Sequence, residues 1–169
     1  MVVAQAVAAV AVGLLGASGI AKLADPEPTT GAMRTARLPS SNLLSYTLGT
    51  AEIVVAVGAL AFGGPFMALG GVLYAAFAVF TFAALRKRIP VQSCGCFGRD
   101  DTPPTVIHVV FNVLASVALF SSTMLDVGPI NWSMPFPELA LYVVYIAIGI
   151  YASFLVLSRL PQLTALTRR

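Results

Sequence analysis

Long apolar segments alternate with short polar ones along the whole chain. Five of the apolar segments contain about 20 residues each, which is the length that an α-helix needs to cross a bilayer. The pattern therefore predicts an all-α integral membrane protein, folded as a single membrane domain over residues 1–169. The five predicted spans cover residues 2–23, 43–62, 66–85, 105–125 and 138–157.

The polar connections between the spans differ in character. Residues 24–42 contain three prolines and several charges, and this segment is long enough to hold a short interfacial helix. Between the second and third spans, Gly63-Gly64-Pro65 predicts a turn, because glycine and proline interrupt helices. Residues 89–104 form a predicted loop that contains both cysteines of the chain.

Composition supports the membrane assignment. Hydrophobic residues make up 58% of the chain and charged residues only 10%, whereas soluble domains have roughly 45–50% and about 25%. This excludes a soluble enzyme, and it excludes a disordered tail, which needs low hydrophobicity and high charge. The net charge of +3 does not indicate nucleic-acid binding, because the basic residues form no continuous stripe.

The basic residues predict the orientation in the membrane. With five spans, all ten Lys and Arg residues fall on one side of the membrane, whereas with four spans they would be divided between the two sides. The positive-inside rule then places the N-terminus outside, and the C-terminus and the cysteine loop on the cytoplasmic side. Because the cytosol keeps thiols reduced, a disulfide in this loop would be transient. The ten residues are Lys22, Arg34, Arg37, Arg86, Lys87, Arg88, Arg99, Arg159, Arg168 and Arg169.

The two cysteines, Cys94 and Cys96, are separated by one glycine. A disulfide across so short a spacing closes a strained ring, and strain makes a disulfide labile rather than structural. The basic run 86–88 and Arg99 favour the reactive thiolate. Two alternatives remain open: inert cysteines at a helix end, or a soft-metal clamp for Cu(I) or Zn. The clamp would need further ligands, and no other Cys or His lies nearby in the sequence.

Polar residues inside the spans are the second candidate feature. Glu52 lies about 13 Å into the second span, where a carboxylate costs several kcal/mol unless it is paired, hydrogen-bonded or protonated. His108, Asn112 and Ser116 recur at four-residue spacing, so they share one helix face. We expect Glu52, Asn112 and His108 to form a polar cluster that carries protons to the thiols. Interhelical hydrogen bonding without proton transfer is the alternative.

Lys22 lies near the end of the first span. A lysine at this position is expected to snorkel, with its charged end extended to the membrane interface. A salt bridge to Asp25, Glu27 or Glu52 is the alternative.

The segment 94–98, Cys-Gly-Cys-Phe-Gly after a third membrane helix, resembles the signature of the MauE family. These methylamine utilisation proteins are related to the DoxX-like membrane proteins. The resemblance covers about residues 2–125. Two features depart from the family pattern: Phe111 occupies a position where the family often has arginine, and a fifth helix is added. Further matching features, in the expected order, are Lys22 followed by Asp25-Pro26, Glu52 and Asn112.

The resemblance implies a DoxX-like four-helix bundle with an added fifth C-terminal transmembrane helix, in a bacterial plasma membrane. It also implies a redox-associated protein that works beside a thioredoxin-like partner, since the family is needed for disulfide formation in methylamine dehydrogenase. The candidate site residues are therefore Cys94, Cys96, Glu52, His108 and Asn112, with no cofactor or metal expected. Two other functions remain open: a non-catalytic accessory subunit docked to other membrane-complex subunits, and a protein that handles Cu or Zn or transports a small molecule.

Overall fold

The computed structural model of the chain describes residues 2–89, 103–126, 128–130 and 133–166. Within these ranges the chain is helical and contains no strand. Five helices are long and apolar enough to cross a membrane, so the predicted all-α membrane fold is confirmed. The helices are α1 (Val2–Ala24), α2 (Glu27–Thr35), α3 (Asn42–Phe62), α4 (Gly64–Arg86), α5 (Val106–Met124) and α6 (Phe136–Leu166).

The helix boundaries follow local chemistry. Ser41 caps α3, because its hydroxyl accepts a hydrogen bond from the backbone N–H of Leu44 at 3.1 Å. Gly63 ends α3 with a φ of +64°, a left-handed conformation that glycine adopts readily. Pro65 then lies in the first turn of α4, where its missing N–H costs no hydrogen bond. The four predicted spans before α6 match the observed helices within two residues, whereas α6 continues to Leu166.

Four of the spanning helices form a ring. α1 packs against α3 and α5, and α4 also packs against α3 and α5, so α3 and α5 lie diagonally across the bundle. All four contribute to one apolar core, which includes Leu15, Val55, Met67 and Leu119. α6 lies outside this ring and packs mainly against α1. The observed architecture is therefore a four-helix core with a fifth helix added at its side.

α1 and α3 approach unusually closely at a pair of glycines. A Cβ atom at Gly19 would lie 2.6 Å from the carbonyl oxygen of Gly49, and one at Gly49 would lie 2.9 Å from that of Gly19. In a membrane, small residues allow helices to pack this closely, because apolar burial provides little drive between helices already in hydrocarbon. The close approach brings the end of α1 against the middle of α3.

One end of the bundle, here called the basic end, is where α1 and α4 end and where α3 and α5 begin. The short α2, which the polar segment 24–42 predicted, covers part of this end. Its Ala32 packs with Ala84 at the end of α4, and the Thr30 hydroxyl donates to the Pro26 carbonyl at 2.9 Å. α4 ends and α5 begins at this end, and the cysteines lie between these two helices in the sequence. Exposed cations at the ends of α2 and α4 are Arg34, Arg37, Arg86, Lys87 and Arg88.

Candidate functional site

The two candidate cysteines, Cys94 and Cys96, lie outside the described residues. The structure describes the two points where their loop joins the bundle: Ile89 follows α4, and Thr105 precedes α5. The buried polar groups between these helices and α1 form the described part of the candidate site.

Lys22 and Glu52 form a buried ion pair between α1 and α3. The Lys22 Nζ lies 3.0 Å from each carboxylate oxygen, and the two side chains are 2% and 0% exposed. The expectation that Lys22 snorkels to the interface is wrong, and the alternative salt bridge to Glu52 is observed. The physical reason is the approach of the two helices at Gly19 and Gly49, which places the lysine stem directly against α3.

Two further groups surround the ammonium of Lys22. Nζ donates a hydrogen bond to the Ser18 Oγ at 2.6 Å, one turn earlier on α1. The ring of Phe77 from α4 lies 5.6 Å away, measured from its centroid to Nζ, a distance at which the ring face attracts a cation. The charge of Lys22 is therefore stabilised by groups from three helices.

Glu52 occupies the middle of its helix. It is the eleventh of the 21 residues of α3 and is fully buried. The expected burial of this carboxylate inside the bundle is confirmed. At such a depth an unpaired charge is expensive, so the ion pair with Lys22 explains how the carboxylate is tolerated.

The polar face predicted on α5 is also buried. His108, Asn112 and Ser116 are 2%, 5% and 7% exposed, so their shared face points into the bundle. The Ser116 hydroxyl donates to the Gly71 carbonyl of α4 at 2.9 Å. Ser116 therefore takes part in a direct interhelical hydrogen bond, which is the structural role that the sequence left open for this face.

His108 connects this face to the start of α5. The Thr105 backbone N–H donates to His108 Nδ1 at 3.2 Å, and the Thr105 Oγ1 lies 2.9 Å from the same nitrogen. Because Nδ1 accepts a hydrogen bond from the backbone, the neutral ring carries its proton on Nε2. The residue that caps α5, directly after the cysteine loop, is thus bonded to a buried imidazole.

A small cavity of about 20 Å³ lies between α1, α4, α5 and α6. Its volume is enough for one water molecule, which needs roughly 10–15 Å³ and two to four polar partners. Polar atoms come from four of the side chains around it, and the remaining lining is apolar. The polar lining residues are Ser18, Tyr74, His108 and Asn112, and the others are Leu14, Leu15, Phe77, Phe111 and Leu157.

The structure divides the predicted cluster into two connected parts. His108 and Asn112 line the cavity, whereas Glu52 does not. Glu52 is linked to the cavity indirectly: it pairs with Lys22, and Lys22 donates to Ser18, which is itself part of the lining. The arrangement provides an almost continuous polar connection from the middle of α3 to the first turn of α5.

Sequence reasoning missed Ser18 and Tyr74. Ser18 lies four residues before Lys22, so a search for polar residues on the lysine face of α1 would have identified it. The Tyr74 hydroxyl donates to the Ala11 carbonyl at 2.7 Å and joins α4 to α1. No sequence pattern marks Tyr74, because its partner is a backbone carbonyl, which no residue type identifies.

Metal binding has no support from the part of the chain that the structure describes. Those residues contain no group of three or more His, Cys, Asp or Glu that could hold an ion. The soft-metal clamp considered for the cysteines depends on Cys94 and Cys96, which lie outside the described residues.

The fold and the buried polar connection define an all-α membrane protein whose four-helix core encloses several hydrogen-bonded polar side chains. Comparison with family models matches residues 1–125 to the family described as "Methylamine utilisation protein MauE". The chain therefore belongs to the MauE family, and the resemblance seen in the sequence is confirmed. The matched region ends just after α5, so α6 lies beyond it. Neither the curated proteins nor the solved structures contain a match to the chain.

Proposed function

We propose that this MauE family protein takes part in thiol–disulfide exchange, through Cys94 and Cys96, with a thioredoxin-like partner. A thiolate of the reduced partner attacks the Cys94–Cys96 disulfide, which breaks the S–S bond and forms a mixed disulfide. The second partner thiolate then displaces the remaining cysteine. The partner becomes oxidised and the loop reduced, and the two protons lost by the partner dithiol equal the two gained by Cys94 and Cys96.

The observation that carries this proposal is the contact between Thr105 and His108. Thr105 is the first helix-capping residue after the cysteine loop, and its backbone N–H is bonded to the imidazole. The same imidazole lines the small cavity inside the bundle, together with Ser18, Tyr74 and Asn112. An imidazole, whose two ring nitrogens can accept and donate a proton, thus lies between the anchor of the loop and the buried polar residues, as a proton route to the thiols requires.

In the proposed route, His108 and Asn112 act at the cavity, and a water molecule held there relays the proton. The Lys22–Glu52 pair and Ser18 act as positioning residues, because Lys22 donates a hydrogen bond to the Ser18 hydroxyl and so holds it at the wall of the cavity. The strained spacing of the cysteines favours an oxidising rather than a structural disulfide. In this step the loop therefore acts as the oxidant of the partner dithiol.

The cysteine step is tested with single serine variants. Cys94→Ser should trap a mixed disulfide through Cys96, or the reverse substitution should trap one through Cys94, because the resolving thiol is missing. The remaining thiol of each purified full-length single variant is first activated as a mixed disulfide with a small aromatic thiol. It is then mixed with a reduced thioredoxin that keeps only its attacking cysteine and separated on a non-reducing gel, with the double serine variant as the control. Maleimide labelling before and after mild reduction measures whether the two thiols pair reversibly.

Two results would contradict this proposal. If both cysteines are equally unreactive before and after reduction, they do not cycle. If the double serine variant supports the formation of partner disulfides as well as the native chain, the accessory-subunit function is favoured instead. All three cysteine variants should remain folded, because the helical core described above is held together without these thiols.

The proton route is tested with Asn112→Leu and Glu52→Gln. Both should slow exchange more than they change the resting redox state, since they affect proton delivery and not the disulfide itself. Ser116→Ala is the matched control, because Ser116 lies one turn further along the same face and bonds to Gly71 rather than lining the cavity. Measurement of exchange rates over a range of pH in H₂O and D₂O separates the two roles. Equal rates for Asn112→Leu and Ser116→Ala would leave interhelical hydrogen bonding as the role of this face.

We further infer a bacterial plasma-membrane location with the N-terminus outside and the C-terminus in the cytoplasm. The basic residues support this orientation, because the exposed cations at the ends of α2 and α4 gather at one end of the bundle, and positive charge is retained on the cytoplasmic side. The cysteine loop connects helices at that same end.

A further inference from the structure

A second charged feature lies at the basic end and is independent of the proposed redox function. Where α2 ends beside the end of α4, a pocket of about 410 Å³ is lined by three cationic side chains. We call this the basic pocket. Its lining residues are Thr35, Ala36, Arg37, Lys87, Arg88 and Ile89.

Helix packing creates the basic pocket. Ala32 of α2 and Ala84 of α4 are both buried and belong to one small apolar cluster with Phe80 and Ile89. This contact holds the two helix ends side by side, so that Arg37 lines the same pocket as Lys87 and Arg88. The cations therefore converge from two separate segments of the chain, fifty residues apart, and are not merely neighbours in sequence.

The backbone conformation of the two arginines is unusual. Arg37 and Arg88 have φ angles of +59° and +50°, at the position just after a helix where glycine is the common residue. The turns are closed by hydrogen bonds from the Leu38 N–H to the Met33 carbonyl and from the Ile89 N–H to the Ala84 carbonyl. A non-glycine residue in this conformation is strained. Both helix ends thus carry an arginine at a position where glycine would adopt the same backbone conformation with less strain.

The charges in the basic pocket are uncompensated within the part of the chain that the structure describes. No acidic side chain lines the pocket, and no ion pair there joins Arg37, Lys87 or Arg88 to a carboxylate. Lys22, by contrast, is fully paired. Three cations around one concavity repel one another, so an anion bound between them would lower the energy of the folded protein.

The geometry points to the phosphate group of an anionic lipid headgroup as the ligand. Guanidinium groups bind phosphate oxygens through paired N–H donors, and two arginines contribute to this pocket. The pocket lies at the end of α4, which is long and apolar enough to cross a membrane, so it sits at the level of the headgroups. Basic pockets between membrane helices recognise anionic headgroups in this way. We propose that the basic pocket is such a site.

Binding is measured on the full-length protein in a neutral detergent by native mass spectrometry. Phosphatidylglycerol is the probe, and phosphatidylcholine and inorganic phosphate are compared with it. The pocket variant combines Arg37→Asn, Lys87→Gln and Arg88→Asn. Asparagine is chosen at the two strained positions because it tolerates positive φ better than most residues, so the helix ends should be kept and the thermal unfolding temperature should not fall.

The control variant removes the same number of charges outside the basic pocket, through Arg34→Gln, Arg86→Gln and Arg159→Gln. Each cation close to an anionic surface favours binding roughly fivefold, so loss of all three pocket cations should weaken phosphatidylglycerol binding by about a hundredfold. In the control variant, phosphatidylglycerol binding should weaken by less than about tenfold, because the cations removed there act only at longer range.

Each outcome supports or overturns the proposal. Preferential binding of phosphatidylglycerol over phosphatidylcholine, lost in the pocket variant and retained in the control, supports it. Equal losses in the two variants would overturn it in favour of diffuse surface charge. If inorganic phosphate binds as tightly as phosphatidylglycerol, the ligand is a free anion, and the assignment to a lipid is wrong.

Discussion

Removal of the Lys22 ammonium is the most informative perturbation of the bundle. In Lys22→Met, Glu52 stays fully buried in the middle of α3 but loses the charge that lies 3.0 Å from both of its oxygens. Breaking a buried ion pair from one side costs about 3–5 kcal/mol. We therefore expect the free energy of unfolding to fall by that amount, which lowers the ratio of folded to unfolded protein by roughly a hundredfold to a few thousandfold.

The opposite single change, at Glu52, should lower the free energy of unfolding by less. Glu52→Gln leaves an unpaired ammonium, but Lys22 is the third residue from the end of α1 and can extend its flexible stem toward the interface. We expect a loss of about 1–3 kcal/mol, the usual cost of a buried partner left unsatisfied. The two variants should differ in stability because the two groups lie at different depths in the bundle: the Glu52 carboxylate has no route to water comparable to that of the lysine.

The double variant Lys22→Met with Glu52→Gln completes the cycle. It should be destabilised by about 2 kcal/mol less than the sum of the single effects, because no unpaired charge remains. Reversible unfolding of the full chain in mixed micelles, followed by circular dichroism, measures all three. If the single effects add to within about 0.5 kcal/mol, the two residues do not interact, and the account of the ion pair is wrong.

Two other predictions concern helix packing and orientation. Gly19→Ala should lower the free energy of unfolding by about 1–3 kcal/mol, because the new Cβ would lie 2.6 Å from the Gly49 carbonyl oxygen. Gly31→Ala, whose Cβ would have nothing within 4 Å, should leave this free energy unchanged or raise it slightly. Equal effects of the two alanines in the same unfolding assay would contradict the close approach. A fluorescent reporter fused to the C-terminus should be bright, because the orientation proposed above places that end in the cytoplasm. An alkaline phosphatase fusion that is active at the same site would refute the five-span orientation.

Much of the architecture was predictable because a bilayer imposes a simple rule on length. A helix must carry about 20 apolar residues to cross a bilayer, and this length located five spans from the pattern of apolar segments along the chain. Four-residue spacing also predicted that His108, Asn112 and Ser116 share a face, and their burial agrees with it. The Cys-Gly-Cys segment identified the family. These features depend on residues close together in the chain, so no knowledge of packing was needed.

The partners of the buried groups were decided only by the tertiary structure. Three acids were possible partners for Lys22 in the sequence, and the one it pairs with is thirty residues away. The choice depends on the approach of α1 and α3 at Gly19 and Gly49, which no periodic pattern marks. In a soluble protein the hydrophobic face of a helix indicates where the core lies. In a membrane the lipid-facing side is as apolar as the interior side, so hydrophobicity fixes the length of each span but not its rotation, its neighbours or the groups that meet inside.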